Sequence, residues 1–287
     1  MKLNNFWGTT RSPGLQVGMI VRLGLALTAI AGSIALAWVL LGGHYDAHAG
    51  AINTLGTADQ PMGLVIDKNG NAWVAEPNCN PAPVCSAPAA GAIEEFKLNG
   101  TSGISHVATY LAPQLYNPTF LTVDASGNIW FTDPTNNAIG KLVPGAHPTW
   151  AKYTTGLSAS AEPFGIITDK NGKIWFAERG ISKIGFIDPT AGTPTIHENG
   201  GFTTNSQPFG LTMDNTGNIW FTEDTVANLG TFTPTTNGTV TIHEHPTGTG
   251  ANLLPAHMIS ADKTGNLWYS EGGTDLVGEY TISGGAT

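Results

Sequence analysis

The sequence predicts an all-β chain, a five-bladed β-propeller closed by an N-terminal strand and preceded by one hydrophobic helix. Two observations predict the propeller. A sixteen-residue unit, Pro163-Phe-Gly-Ile-Ile-Thr-Asp169-Lys-Asn-Gly172-Lys-Ile-Trp175-Phe-Ala-Glu178, recurs closely at Pro208–Glu223, with looser copies around Asp67/Trp73, Asp124/Trp130 and Asp262/Trp268. The tryptophans are spaced by 57, 45, 45 and 48 residues, the period of one propeller blade with an insertion in the first. A third observation predicts the helix. Leu23 to Leu41 is uncharged and rich in Leu, Ala and Ile.

Each part of the repeat has a physical reading. Apolar residues lead into Asp-x-x-Gly, a turn in which the aspartate bonds to nearby backbone and the glycine takes positive φ. The β-rich Ile-Trp-Phe then returns antiparallel to complete a hairpin. Lys183–Asp188 and Thr195–Glu198 supply a third and a fourth strand. Such a sheet buries its two apolar faces only between neighbours, and a closed ring provides them. After Trp268 the sequence holds a third strand, Leu276–Ile282, and no fourth. Ala51-Ile-Asn-Thr-Leu55 is strand-like and precedes the first copy, so it is expected to complete the last blade.

The chain divides into 1–49, a cytoplasmic N-terminus with its anchor or signal peptide, and 50–287, the propeller. The nineteen residues from Leu23 reach roughly 28 Å as a helix, about the thickness of a bilayer's hydrocarbon core. Lys2, Arg11 and Arg22 precede them, which keeps the N-terminus inside. Ala47-His48-Ala49 has the form of a signal-peptidase site, whereas the length of the apolar run favours an uncleaved single-pass anchor. Either way the propeller is expected at the extracytoplasmic face of the cytoplasmic membrane, anchored or secreted, with membrane contact through the helix alone.

Beyond residue 49 there are nine basic and twenty acidic residues, a formal charge of −11. That charge repels nucleic acid and anionic lipid, and it suits cations, basic proteins or neutral ligands. The expected partner is a protein at or near the membrane; a small-molecule substrate is the other option. Cys79 and Cys85 are the only cysteines and can close a small disulfide loop in an oxidising compartment.

Strand direction sorts the residues that carry chemistry. Five before each Asp stand Met62, Thr119, Phe164, Phe209 and His257; three after each Trp stand Glu76, Asp133, Glu178, Glu223 and Glu271. Both sets are expected at one end of the ring. Five carboxylates there suit a hard cation such as Mg²⁺ or Ca²⁺, or a basic partner, and equally suit hydrogen bonds from loop backbone. His257 breaks the repeat and is the candidate general base. His243 and His245 share one side of an outermost strand, a metal pair or solvated edge residues. Asn99-Gly-Thr101 and Asn237-Gly-Thr239 fit the glycosylation pattern. No hydrolase elbow, phosphate loop, dinucleotide fingerprint or zinc-protease helix motif occurs.

The repeat Pro-x-Gly-Ile/Leu-x-x-Asp-x-x-Gly-Asn-Ile-Trp-Phe-Thr-Glu followed by Ile-Gly resembles the virginiamycin B (streptogramin) lyases and the related NHL-type propellers. The resemblance implies elimination on a cyclic depsipeptide by a histidine base with Mg²⁺ held partly by glutamate. It implies His257 as the base and Glu271 as the metal-site glutamate. Pro255 stands where the family has an acidic residue and Phe209 where it has a second histidine. The family's enzymes are cytoplasmic and seven-bladed. The expected role is therefore an exported binding module or accessory subunit of a membrane-associated complex. The alternative is a Mg²⁺-dependent C–O lyase or lactone-acting enzyme using His257 and Glu271.

Overall fold

The computed structural model describes residues 61–77, 91–98, 103–113, 116–247, 256–271 and 277–282. The anchor or signal segment, the closing strand 51–55, Cys79 with Cys85, and most of the first-blade insertion lie outside these residues.

Five antiparallel sheets follow one another along the chain, so the fold is an all-β five-bladed propeller. Blade 1 holds β1 (Gly63–Ile66), β2 (Asn71–Glu76), β3 (Ala92–Leu98) and β4 (Ile104–Leu111). Blade 2 holds β5 (Leu121–Val123), β6 (Ile129–Asp133), β7 (Ala138–Val143) and β8 (Thr149–Tyr153). Blade 3 holds β9 (Pro163–Thr168), β10 (Ile174–Glu178), β11 (Lys183–Ile187) and β12 (Ile196–Asn199). Blade 4 holds β13 (Pro208–Met213), β14 (Ile219–Glu223), β15 (Asn228–Phe232) and β16 (His243–Pro246). Blade 5 has three strands among the described residues, β17 (Ala256–Ala261), β18 (Asn266–Glu271) and β19 (Val277–Thr281).

The repeated aspartate builds the hairpin from within. Asp169 Oδ1 accepts the N–H groups of Asn171 and Lys173 at 2.8 and 2.9 Å, and its Oδ2 accepts Trp175 Nε1–H at 2.9 Å. The same tether to the tryptophan recurs at Asp67, Asp124, Asp214 and Asp262, at 2.9–3.2 Å. Burial disfavours the charge of Asp67, Asp124 and Asp214, yet these bonds outweigh it and hold all three below the usual carboxylate range. Gly172 closes the turn at φ +83° in open space, so backbone conformation alone demands glycine there.

Alternation along the second strand decides which seam each side chain fills. Trp73 packs with Leu121, Ile129 and Phe131 of blade 2; Trp130 packs with Ile166, Ile174 and Phe176 of blade 3. Trp175 meets Ile219, Phe221 and Phe232 of blade 4, and Trp220 meets Ile259, Leu267 and Tyr269 of blade 5. These four tryptophans therefore face the next blade, and Phe131, Phe176, Phe221 and Tyr269, each following its own blade's tryptophan, face the previous one. That second ring lies flat on a third-strand glycine. A Cβ on Gly185 would fall 2.3 Å from the Phe176 ring, and one on Gly230 would fall 2.0 Å from Phe221. Blade 1 has Val74 opposite Glu94 and lacks both halves of this pair.

Candidate functional site at the channel mouth

The innermost strands of all five blades surround a channel of about 220 Å³, lined by Leu64, Leu121, Ile166, Leu211 and Ile259 among others. One end of it carries the repeat positions that vary. Phe164 and Phe209 pack with centroids 4.9 Å apart, Phe120 lies 6.1 and 5.9 Å from them, and His257 stacks on Phe209 at 5.4 Å. These rings come from blades 2 to 5 and form an aromatic rim. The sequence expectation that His257 and the phenylalanines share one end of the ring holds.

His257 is paired with a carboxylate outside the repeated set. Its Nε2 lies 2.5 Å from Oδ1 of Asp224, the residue after Glu223 in the neighbouring blade. The other oxygen of Asp224, Oδ2, accepts Nε–H and Nη2–H of Arg179 at 3.1 and 2.8 Å. Arg179 lies over the Phe164 ring at 5.6 Å, and its Nη1 is 4.0 Å from Glu162. Arg179, Asp224 and His257 thus form a chain across three blades, with the carboxylate held from both sides. The His257 side chain is 42% exposed and that of Asp224 10%. Sequence reasoning missed Arg179 and Asp224, although a signal existed. Four residues after the tryptophans stand Pro77, Pro134, Arg179, Asp224 and Gly272, and only two of these are charged.

The five carboxylates sit at strand ends but mostly point into the seams. Glu76, Asp133, Glu178 and Glu223 are fully buried, and Glu271 is half-buried. Asp133 accepts N–H bonds from Asn117 and Asn136 at 2.9–3.0 Å, tying the preceding linker to its blade. Burial, reinforced by the neighbouring Glu198, pushes the Glu178 carboxyl up to about 8, against the pull of Lys183. Glu198 keeps its charge through Lys183 Nζ at 2.7 Å and Ser158 N–H at 2.5 Å. Burial, with Glu244 beside it, likewise raises Glu223 to about 8. At neutral pH these two are acids without charge, so the set does not present an open ring of anions.

His243 and His245 line a cleft of about 550 Å³ between blades 4 and 5. His245 packs on Trp220 at 4.9 Å and lies 3.3 Å from the Tyr280 hydroxyl; burial, then the charge of His243, lowers its pKa.

The model of the virginiamycin B lyase family matches residues 45–250 and, in a second alignment, 105–287. The chain belongs to the virginiamycin B lyase family. Two overlapping matches are what a repeating blade produces when aligned in two registers. A structure of streptogramin B lyase is 26% identical with a TM-score of 0.58, over 76% of this chain and 64% of that one. This chain therefore spans less than two thirds of that relative. Virginiamycin B lyase from Staphylococcus aureus is 22% identical with a TM-score of 0.57, over 78% and 71%. A putative 6-phosphogluconolactonase from Bacteroides uniformis shares the fold at 13% identity and a TM-score of 0.61, over 81% and 71%. A comparison with curated proteins finds no match.

Among the described residues, the donors at this mouth do not fit the Mg²⁺ implied by the resemblance. Mg²⁺ takes a rigid octahedron of oxygens, usually including one or two free carboxylates. Among the described residues no group of three or more His, Cys, Asp or Glu side chains converges, and Glu271 belongs to no such group. Both oxygens of Asp224 are engaged, one of them by a guanidinium whose charge opposes a second cation.

Proposed function

We propose that this chain is a lyase opening the ester C–O bond of a cyclic depsipeptide or similar lactone at the channel mouth, with His257 as the base. The single observation that carries the reading is the His257–Asp224 pair on the aromatic rim. Family membership supports it. With Nε2–H donated to Asp224, the imidazole keeps its Nδ1 lone pair for the substrate, and Asp224 stabilises the imidazolium that forms. His257 removes the proton from the carbon beside the carbonyl. The C–H electrons become the new C=C bond, the C–O bond breaks, and the ring opens with a carboxylate as leaving group. The test is linearisation of a streptogramin B depsipeptide followed by mass spectrometry. His257→Ala is expected to lower kcat by at least about 100-fold, the usual worth of a positioned base. A variant that linearised at the wild-type rate would remove His257 from the chemistry.

A second reading, an exported and membrane-tethered binding module, is favoured by the uncharged run Leu23–Leu41 and the acidity beyond residue 49. Co-purification of a membrane protein after mild detergent extraction tests it, and a protein that runs alone and membrane-free would end it.

For the ring itself, we infer closure by residues 51–55. Elsewhere the outermost strand ends nine or ten residues before the next innermost strand begins, and that interval counted back from Gly63 falls within Ala51–Leu55. Outer-strand or adjoining residues Trp150, Ile196 and Ile242 fill the first three seams, whereas among the described residues a cleft remains between blades 4 and 5 beside Trp220 and Tyr280. Removing residues 1–49 is expected to leave Tm unchanged. Removing 1–57 should lower it by several degrees, since about 1 kcal/mol shifts Tm by roughly 2–4 °C at this size. Equal Tm values for the two truncations would exclude the closing strand.

A further inference from the structure

We propose that Arg179 supplies the positive charge for this elimination, so that the mouth works without a divalent cation. The proposal rests on the lyase reading above. Three observations at the mouth carry it. Arg179 uses Nε and Nη2 on Asp224 Oδ2, which fixes the guanidinium plane beside the carboxylate that also holds His257. The face of Phe164 supports that plane at 5.6 Å. Among the described residues, the charged partner of Nη1 is Glu162, at 4.0 Å, beyond hydrogen-bond reach. A guanidinium held at one edge and open at the other is a preformed receptor for an oxygen on which charge develops.

The roles then follow in order. As His257 takes the proton beside the carbonyl, negative charge gathers on the carbonyl oxygen, and the Nη1–H donors stabilise it. The enolate collapses to the alkene while the ester C–O bond breaks and its electrons leave on the carboxylate. His257 returns its proton to solvent. One ester becomes one alkene and one carboxylic acid, with no oxidant or reductant consumed. A fixed charge also explains an otherwise odd pairing. Asp224 carries both partners because it must orient the base and the electrophile together.

The experiment has two independent arms on the full chain. In the first, depsipeptide linearisation is measured with EDTA, with added Mg²⁺, and in Arg179→Gln and Arg179→Lys. The expected results are a rate indifferent to EDTA and Mg²⁺, a loss of at least about 100-fold in Arg179→Gln, and partial return with added guanidinium. Arg179→Lys should fall between, because an ammonium cannot reproduce the two-pronged grip on Asp224. Unchanged thermal melting of the variants separates lost chemistry from lost folding. In the second arm, Mn²⁺ is titrated and followed by electron paramagnetic resonance, with no stoichiometric binding expected at the mouth. Activity abolished by EDTA and restored by Mg²⁺ overturns the proposal while leaving the lyase reading intact. One bound Mn²⁺ that is lost in Asp224→Asn overturns it without reference to activity. A wild-type chain that linearises nothing overturns both.

Discussion

Trp175→Ala is expected to destabilise the propeller by about 3–5 kcal/mol, the range for removing a large buried aromatic. Trp175 is fully buried, with ring centroids 4.8 Å from Phe186 and 4.9 Å from Phe232, so it joins its own blade to the next. Truncation leaves a void between two sheets that a pleated backbone cannot collapse to fill. It also takes the indole N–H from Asp169 Oδ2, a buried acceptor. Urea denaturation measures the loss. Trp175→Phe separates the two contributions, since it keeps most of the ring volume and removes the donor. If Trp175→Ala cost less than about 1 kcal/mol, the seam between blades 3 and 4 would not hold the ring together.

The second large effect is a fall in stability as pH rises from about 4.5 to about 8. Glu178 and Glu223 ordinarily titrate near 4.5 but reach about 8 in the folded chain. Between those values the folded protein keeps protons that the unfolded chain has released. Their contribution is therefore complete below the unfolded pKa and lost as pH climbs through the folded one. The slope has a ceiling of roughly 1.4 kcal/mol per pH unit for each group, and partial hydration of the seams reduces it. Asp67, Asp124 and Asp214 carry the opposite sign. Held low by their hydrogen bonds, they add stability that disappears only as pH falls below the carboxylate range. Melting curves from pH 4 to 9 should thus peak on the acidic side of neutrality. Glu178→Gln with Glu223→Gln should flatten the alkaline limb. A limb equally steep in that double variant would place its cause elsewhere.

How far the molecule is legible in its sequence depends on the range of each interaction. The hairpins are legible because aspartate, glycine and tryptophan act within one turn, over six residues. The direction of Glu178 was also within reach: it stands two after Phe176, so a strand puts both on the same seam. Reading it as part of an outer face weighed its place along the strand and ignored its side. The partner of His257 is another matter. Asp224 lies in the preceding blade, and Arg179 reaches it from the blade before that. Only the packing of neighbouring inner strands brings the three together. The break in the repeat at Arg179 and Asp224 marks them as exceptional without naming what they meet.

The bond from each aspartate to its tryptophan spans six residues, which sets the order in which the ring can be assembled. Closing so short a loop costs little chain entropy compared with docking one blade on another. A hairpin can therefore latch itself, orient its indole and wait, with the docking surface ready before any neighbour arrives. The chain has five such starting points and no need of a privileged one, as suits a protein built one blade at a time from its N-terminal end.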